Sequence, residues 1–178
     1  MAAESGMYVG ADVGNSAITG QVAVSFPAHP QYNTSGSIDD NGGSQTLKVG
    51  YYIDNNNRAN AFYQHFNVED GSSSTYGIAY DYIFGDNTFK PFIGALAGYG
   101  NIKSSDNTGT MNLDGSFFGG QAGLNYAFGE NFSVEAGYRY MKANMKDTMS
   151  GTISRVAYTA DVKIDTVKNW FIGANYKF

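Results

Sequence analysis

The sequence contains no cysteine, which removes disulfide scaffolds, zinc knuckles and thiol catalysis together. Proline is also rare, at three residues. Charged side chains make up 15 % of the chain, against about 25 % in an ordinary soluble domain. Lys and Arg form no run along the sequence, and the net charge is −5. Neither feature offers a footprint for a phosphate backbone, so nucleic-acid binding is excluded. No apolar run approaches the roughly 18 residues of a membrane-spanning helix, whereas a span built from strands stays open. Met1-Ala2-Ala3-Glu4-Ser5 has neither a cationic segment nor an apolar stretch, so no signal peptide is expected here. The small residues ahead of Glu4 fit the remnant of a cleaved one.

What the chain does have is glycine, 23 residues, with 14 Tyr and 12 Phe. That mixture suits many short strands joined by tight turns. Period-two alternation, which sends successive side chains to opposite faces of a strand, occurs eight times. Near 6–16, Met7, Val9, Ala11 and Val13 oppose Tyr8, Gly10, Asp12 and Gly14. Near 45–54, Leu47, Val49, Tyr51 and Ile53 oppose Lys48, Gly50, Tyr52 and Asp54. The segments near 75–84, 116–128, 132–142 and 165–178 repeat the division. Their second faces carry Asp81, Gln121, Asn125, Glu135, Arg139 and Lys177 among glycines. Near 58–67 either Ala59, Ala61, Tyr63 and His65 or Phe62 and Phe66 could face outward. Near 88–100 both faces are apolar, and the preferred arrangement sets Lys90 inward with Phe89, Ile93, Ala95, Ala97 and Tyr99 outward.

Asn55-Asn56-Asn57, Gly85-Asp86-Asn87 and Gly129-Glu130-Asn131 are three-residue turns of types that tolerate positive φ. Long polar segments, about 17–44, 68–74, 101–115 and 143–164, alternate with them and are expected to be loops. In an up-and-down meander this places the tight turns and both chain ends at one rim and the loops at the other, the asymmetry of transmembrane barrels. A soluble carrier barrel and a membrane barrel share the alternation and differ in which face is wet. Glycine among charges of both signs suits a crowded concave interior where the charges can pair. The aromatics of the apolar face gather near strand ends, at headgroup level. The expected fold is therefore all-β: an eight-stranded antiparallel up-and-down transmembrane β-barrel, a single domain over 1–178, with both termini periplasmic.

Gly6-Met7-Tyr8-Val9-Gly10-Ala11-Asp12-Val13-Gly14, Val134-Glu135-Ala136-Gly137-Tyr138-Arg139-Tyr140 and Gly173-Ala174-Asn175-Tyr176-Lys177-Phe178 resemble the first, seventh and last strands of the small outer-membrane β-barrel family of Gram-negative bacteria. That family includes the outer membrane protein A transmembrane domain, outer membrane protein X and the opacity-type proteins. The resemblance implies contact with outer-membrane lipid and lipopolysaccharide. It also implies insertion by the barrel assembly machinery, for which Gly173, Tyr176 and Phe178 resemble the terminal signal. Phe171 departs from that pattern, which usually has a polar residue there. No peptidoglycan-binding domain is expected after Phe178, so that activity of some relatives is not carried over.

Asp12, Lys48, Asp81, Lys90, Gln121, Glu135, Arg139 and Lys177 are expected to form a polar network inside the barrel. Glu135 and Arg139 share a face but lie about 13 Å apart by the strand rise, so each needs partners from other strands. Such a network is either a stabilising plug or a leaky ion path, and the plug is preferred because side chains can just fill an eight-stranded interior. For catalysis, His65 with Glu69, Asp70 and Ser72 to Ser74 is a loose Ser/His/carboxylate set of unspecific spacing. The ordinary reading is a rim histidine. His29, between Pro27 and Pro30, has no evident partner. Asp39-Asp40-Asn41-Gly42 invites a calcium loop, but the twelfth position counted from Asp39 is Gly50 rather than Glu, and a solvated loop tip is expected. No catalytic, cofactor or metal site is assigned. The expected role is a non-enzymatic structural and surface-displaying protein with an extracellular ligand at its loops. The alternatives are a narrow porin-like channel and a lipid-modifying enzyme.

Overall fold

The computed structural model describes residues 5–68, 71–85, 88–106, 109–153 and 156–178. Eight strands follow one another in chain order: β1 (Gly6–Ser25), β2 (Thr34–Tyr52), β3 (Asn57–Val68), β4 (Gly71–Ile83), β5 (Phe89–Asp106), β6 (Gly109–Phe128), β7 (Phe132–Ile153) and β8 (Val156–Lys177). Each pairs antiparallel with the next, and β8 returns to β1, closing a barrel. Closure leaves no sheet edge, so ladder N–H and C=O groups find partners across strands, which hydrocarbon requires.

The apolar face points outward. Val49, Ile78, Ile93, Leu124 and Ile172 are exposed in the middle of the wall, with Tyr51, Tyr82, Phe128, Tyr140, Trp170 and Tyr176 towards its margins. The open choice on β3 resolves with Ala61 and Tyr63 outward and Phe62 and Phe66 buried within. On β5, Phe89, Ile93, Ala95, Ala97 and Tyr99 face out and Lys90 faces the inner side. From Phe132 to Tyr140 the belt on β7 covers eight residue steps, about 20 Å of height for strands tilted about 40°, near the thickness of a transmembrane barrel's apolar band.

The expected long loops are the main correction. Segments 17–44, 101–115 and 143–164 are largely strand: β1 runs to Ser25 and β2 begins at Thr34, while β7 and β8 extend to Ile153 and from Val156. Among the described connections at that rim, only Phe26 to Asn33 is a loop, with a 3-10 turn at Pro30–Tyr32. Asp39-Asp40-Asn41-Gly42 lies within β2 rather than at a loop tip. Alternation there turns Asp39 and Asp40 to opposite faces, and no cluster able to hold a metal ion occurs among the described residues. Within the expected loops 68–74, 101–115 and 143–164, residues 69–70, 107–108 and 154–155 lie outside the described residues, as do Asp86 and Asn87 of one expected tight turn.

These upper strands hid from the sequence because their alternation is reversed. Above the membrane belt, the outward positions are polar or small: Asn15, Thr19 and Gln21 on β1, Asn41 and Gln45 on β2. The inward ones are apolar, with Ile18, Phe66, Ile102, Leu113, Met145 and Ile164 in one buried cluster. On β8 the reversal needs a bulge. Pairing slips between Lys142 and Met145 on one side and between Thr19 and Gly20 on the other. Against β1, Thr19 pairs with Thr166 and Gly20 with Ile164, which makes Asp165 the extra residue there, whereas against β7 both Ala143 and Asn144 stand opposite Asp165; Val167 and Asn169 face in below it, and Val162 and Ile164 face in above it.

At the opposite rim the turns are tight. Gly85 and Gly129 adopt φ of 78° and 79°, where side chains other than glycine's are strained. The connection from β2 to β3 is tied by Asp54, whose Oδ1 accepts the backbone N–H of Asn56 and Asn57 at 2.8 and 2.7 Å. The Asn57 side-chain amide, with the Asn56 N–H second, holds the Asp54 carboxyl below the usual range.

Nitroxide labels along the outer face of β1 test the reversal. Labels at Val9 and Val13 should collide with oxygen dissolved in lipid, and labels at Ala17 and Gln21 with a water-soluble nickel complex. Hydrocarbon at Gln21 or water at Val9 would refute the assignment.

Candidate functional site: a closed ring of charges in the lumen

Inward positions at belt height carry the charged residues, because these are the alternate residues of strands whose other face meets hydrocarbon. Asp12 on β1, Lys48 on β2, Arg58 on β3, Asp81 on β4, Gln121 on β6, and Glu135 and Arg139 on β7 are all buried. Their contacts form one closed circuit. Arg139 Nη2 donates to Asp12 Oδ2 at 2.6 Å, and Asp12 Oδ1 lies 2.7 Å from Lys48 Nζ. Lys48 donates to Glu135 Oε1, whose second oxygen accepts from Arg58 Nη1 at 2.8 Å. Arg58 Nε reaches Asp81 Oδ2 at 2.8 Å, and the other Asp81 oxygen accepts from Gln121 Nε2 at 2.6 Å. Gln121 closes the ring by accepting from Arg139 Nε at 2.9 Å.

Three carboxylates face three cations, so the circuit is neutral. Burial would cost several kcal/mol per lone ion, and that cost is offset only where each charge is paired and its remaining positions are satisfied. Secondary contacts supply part of this: Asn175 donates to Glu135 at 3.0 Å, and Arg139 also reaches Thr46 at 3.3 Å and Asn169 at 3.4 Å. Aromatic faces cover the guanidinium groups. Arg139 lies 3.9 Å from the Phe171 ring centroid and Arg58 4.8 Å from that of Phe92. Phe171, the departure from the expected terminal pattern, is thus an inward residue that floors the arginine.

Glycine gives the ring its space. A Cβ on Gly94 would stand 1.9 Å from Asp81 Oδ1, and one on Gly173 2.1 Å from Asp12 Oδ1. Gly173 therefore has a packing reason in the finished barrel, separate from any role in an assembly signal.

Of the residues expected inside, Asp12, Lys48, Asp81, Gln121, Glu135 and Arg139 meet in the circuit. Lys90 and Lys177 do not join it; they line an open bowl of about 820 Å³ at the tight-turn rim, with Asp54, Glu130 and Asn175. Glu135 and Arg139 reach each other only through other strands. Sequence reasoning missed Arg58, the joint between two carboxylates. Its signal was parity, since Arg58, Asn60, Phe62 and Gln64 share the inward face of β3. Asn169 was missed as well, and Asn175, on the inner face with Gly173 and Lys177, was not counted in the network. His65 stands cross-strand from Ser74, with Nδ1 3.3 Å from its Oγ, on the outer face. The same hydroxyl meets Tyr63 at 3.0 Å, and no carboxylate reaches His65 among the described residues. Glu69 and Asp70 lie outside the described residues. His29 packs against the Tyr32 ring at 5.9 Å.

Glu135→Gln removes the shared anion of Lys48 and Arg58 and should cost about 3–5 kcal/mol, the usual penalty for orphaning a buried charge. Urea unfolding of the barrel in lipid, followed by gel mobility of folded and unfolded forms, measures it. A loss under about 1 kcal/mol would mean the pairs are not desolvated as drawn. Gly94→Ala should cost about 1–3 kcal/mol by overpacking, whereas Gly43→Ala, with nothing near its Cβ position, should be close to neutral.

No curated protein matches the chain in sequence. Among solved structures, Neisserial surface protein A aligns over 98 % of this chain and 99 % of its own, at 22 % identity and a TM-score of 0.66. The outer membrane protein OprG of Pseudomonas aeruginosa aligns over 99 % and 98 %, at 15 % identity and a TM-score of 0.73. Ail, the attachment invasion locus protein of Yersinia pestis, solved with the heparin analogue sucrose octasulfate, aligns over 94 % and 99 %, at 20 % identity and a TM-score of 0.51. These likenesses establish a shared fold. The match of the outer membrane protein beta-barrel domain family extends over residues 1–178, and the chain belongs to that family of Gram-negative outer-membrane proteins.

Proposed function

We propose that this barrel is a sealed, non-enzymatic outer-membrane protein whose task is performed by the wall and connections that stand above the bilayer. The observation that carries the reading is the content of the lumen. At belt height the charge circuit crosses it, and above that the apolar cluster of Phe66, Leu113, Phe117 and Met145 occupies it. An ion would have to displace paired charges and then cross an apolar layer, and both steps oppose conduction. Both termini and the tight turns lie in the periplasm on this reading, and the barrel assembly machinery inserts the chain.

Display of a surface follows from the height of the wall. β7 continues from Tyr140 to Ile153, about 30 Å of further wall by the same rise and tilt. Its outward positions and those of β1 and β2 are Asn, Ser, Thr, Gln and Asp in the main, a wet surface suited to recognition of an extracellular ligand. The structural likeness to a Neisserial surface protein and to an attachment protein supports host contact as the use of that surface.

One observation favours the second reading, a narrow channel: the bowl lined by Lys90, Lys177 and Asp54 opens toward Asn125 and Asn175 at the foot of the circuit. Planar-bilayer recording separates the two. The sealed reading expects no stepwise conductance from the purified protein. Reproducible openings whose size changes in Arg139→Ala would replace it with the channel.

A further inference from the structure

Below the charge circuit the lumen widens into the bowl of about 820 Å³ at the tight-turn rim, a volume within the roughly 300–1,000 Å³ of small-molecule sites. Asn125 and Asn175 form its floor, and both are buried. Asn175 donates to Glu135 of the circuit, so a solute entering from this rim meets the ring rather than a passage. Tyr52 stands on the wall and leans on the buried Tyr8, with ring centroids 5.0 Å apart. Lys90, Lys177, Asp54 and Glu130 are the charged side chains of the lining. Two are cations and two anions, so the bowl as a whole has no preference for either sign.

The hydrogen-bonding groups of the bowl are unequally spent. The amide nitrogens of Asn125, Asn131 and Asn175 donate to Ser133 Oγ at 3.1 Å, to the Lys177 carbonyl at 2.8 Å and to Glu135 at 3.0 Å. Their three oxygens accept nothing from the described residues, and that of Asn175 is buried. Ser133 keeps its own O–H to donate, and Lys90 has no partner among the described residues. The carboxylates are less available. Asn57 Nδ2 lies 2.8 Å from both Asp54 oxygens, and Glu130 is exposed on the turn between β6 and β7. An ammonium would therefore find neutral amide oxygens beside two lysines, and an anion would find acceptors facing it. A hydroxyl both donates and accepts. A sugar ring carries several of them around a C–H face that packs on an aromatic ring.

We propose that the bowl is a binding site for a small neutral saccharide. Sugar hydroxyls donate to the side-chain oxygens of Asn125, Asn131 and Asn175 and accept from Lys90 and Ser133, while one face of a ring lies against Tyr52. The three amides are already held through their nitrogens, so binding orders little that is not ordered beforehand. At a periplasmic rim this chemistry has two sources, free oligosaccharides and the glycan strands of the cell wall. The site goes beyond the display of a surface at the other rim, and it does not depend on whether the lumen conducts.

The test uses the whole isotope-labelled chain in amine-oxide micelles, which bring no sugar headgroup, and follows backbone NMR shifts as a disaccharide is added. Maltose stands for a free sugar and the disaccharide of N-acetylglucosamine for wall glycan. With at least one of them the wild type should give saturable shifts at Asn55, Asn131 and Ser133, with a Kd of about 1 mM, and none in the Phe26 to Asn33 loop. Whichever binds more tightly identifies the source. Asn125→Ala and Tyr52→Ala should each weaken that binding about tenfold, and Ser37→Ala, at the far rim, should leave it unchanged. Binding of neither sugar, or full affinity in both bowl variants, overturns the site. Should the variants not fold, the wild-type map decides: shifts that spread over both rims or do not saturate overturn it as well. So does tighter binding of glycine or putrescine than of either sugar, because the lining would then select a zwitterion or a cation. A failure of the sealed reading would appear instead as stepwise conductance, with these shifts unaltered.

Discussion

Charges inside a hydrocarbon-facing wall can be tolerated only by one another, and the closed circuit from Asp12 through Lys48, Glu135, Arg58, Asp81, Gln121 and Arg139 is the arrangement on which the barrel depends. Contributions come from β1, β2, β3, β4, β6 and β7, so the circuit joins strands far apart in sequence. Backbone ladders hold each strand to its neighbours, whereas these side chains bind opposite walls to each other. Buried ion pairs are weak evidence for net stability, because the same volume filled with apolar side chains is often as stable. Their value here is placement: one register brings every member into contact with the next, and a slip of one residue would send the charges to lipid.

The same barrel uses two opposite distributions of polarity. Within the bilayer the apolar side chains meet solvent in the sense that lipid is the solvent, and polar ones fill the lumen. Above it water is the solvent again, and the apolar side chains withdraw inside. β8 carries both regimes in one strand, and the bulge at Asp165 lets inward parity change between Val167 and Ile164. A fold of this kind is a membrane barrel below and a soluble barrel above, sharing continuous hydrogen-bond ladders.

Much of the lower half was legible because its rule is simple. Met7, Val9 and Val13 against Tyr8 and Asp12, or Tyr138 and Tyr140 against Glu135 and Arg139, need only period two and a decision on which face is wet. That the charged residues share a face was visible; that Lys90 and Lys177 would stop at the rim while Arg58 completed the circuit was not. Partnership depends on cross-strand height, which a tilted barrel sets and a single sequence does not contain. β3 was ambiguous because Ala59 and Ala61 are small on the outward side while Phe62 and Phe66 are large on the inward side. The upper strands read as loops because Ser, Thr, Asn and Gly between scattered apolar residues resemble turn composition, and because their alternation opposes that of the strands they prolong.

The account stands on the circuit acting as one unit. Arg58 and Arg139 do not touch, yet each is bound to a carboxylate that the ring connects to the other. Equilibrium unfolding of Arg58→Met, Arg139→Met and the double variant in lipid gives their coupling free energy. A closed, desolvated ring predicts non-additivity of at least about 1 kcal/mol, above the few tenths found for independent sites. Strict additivity would contradict it, leaving separate ion pairs that happen to share a lumen.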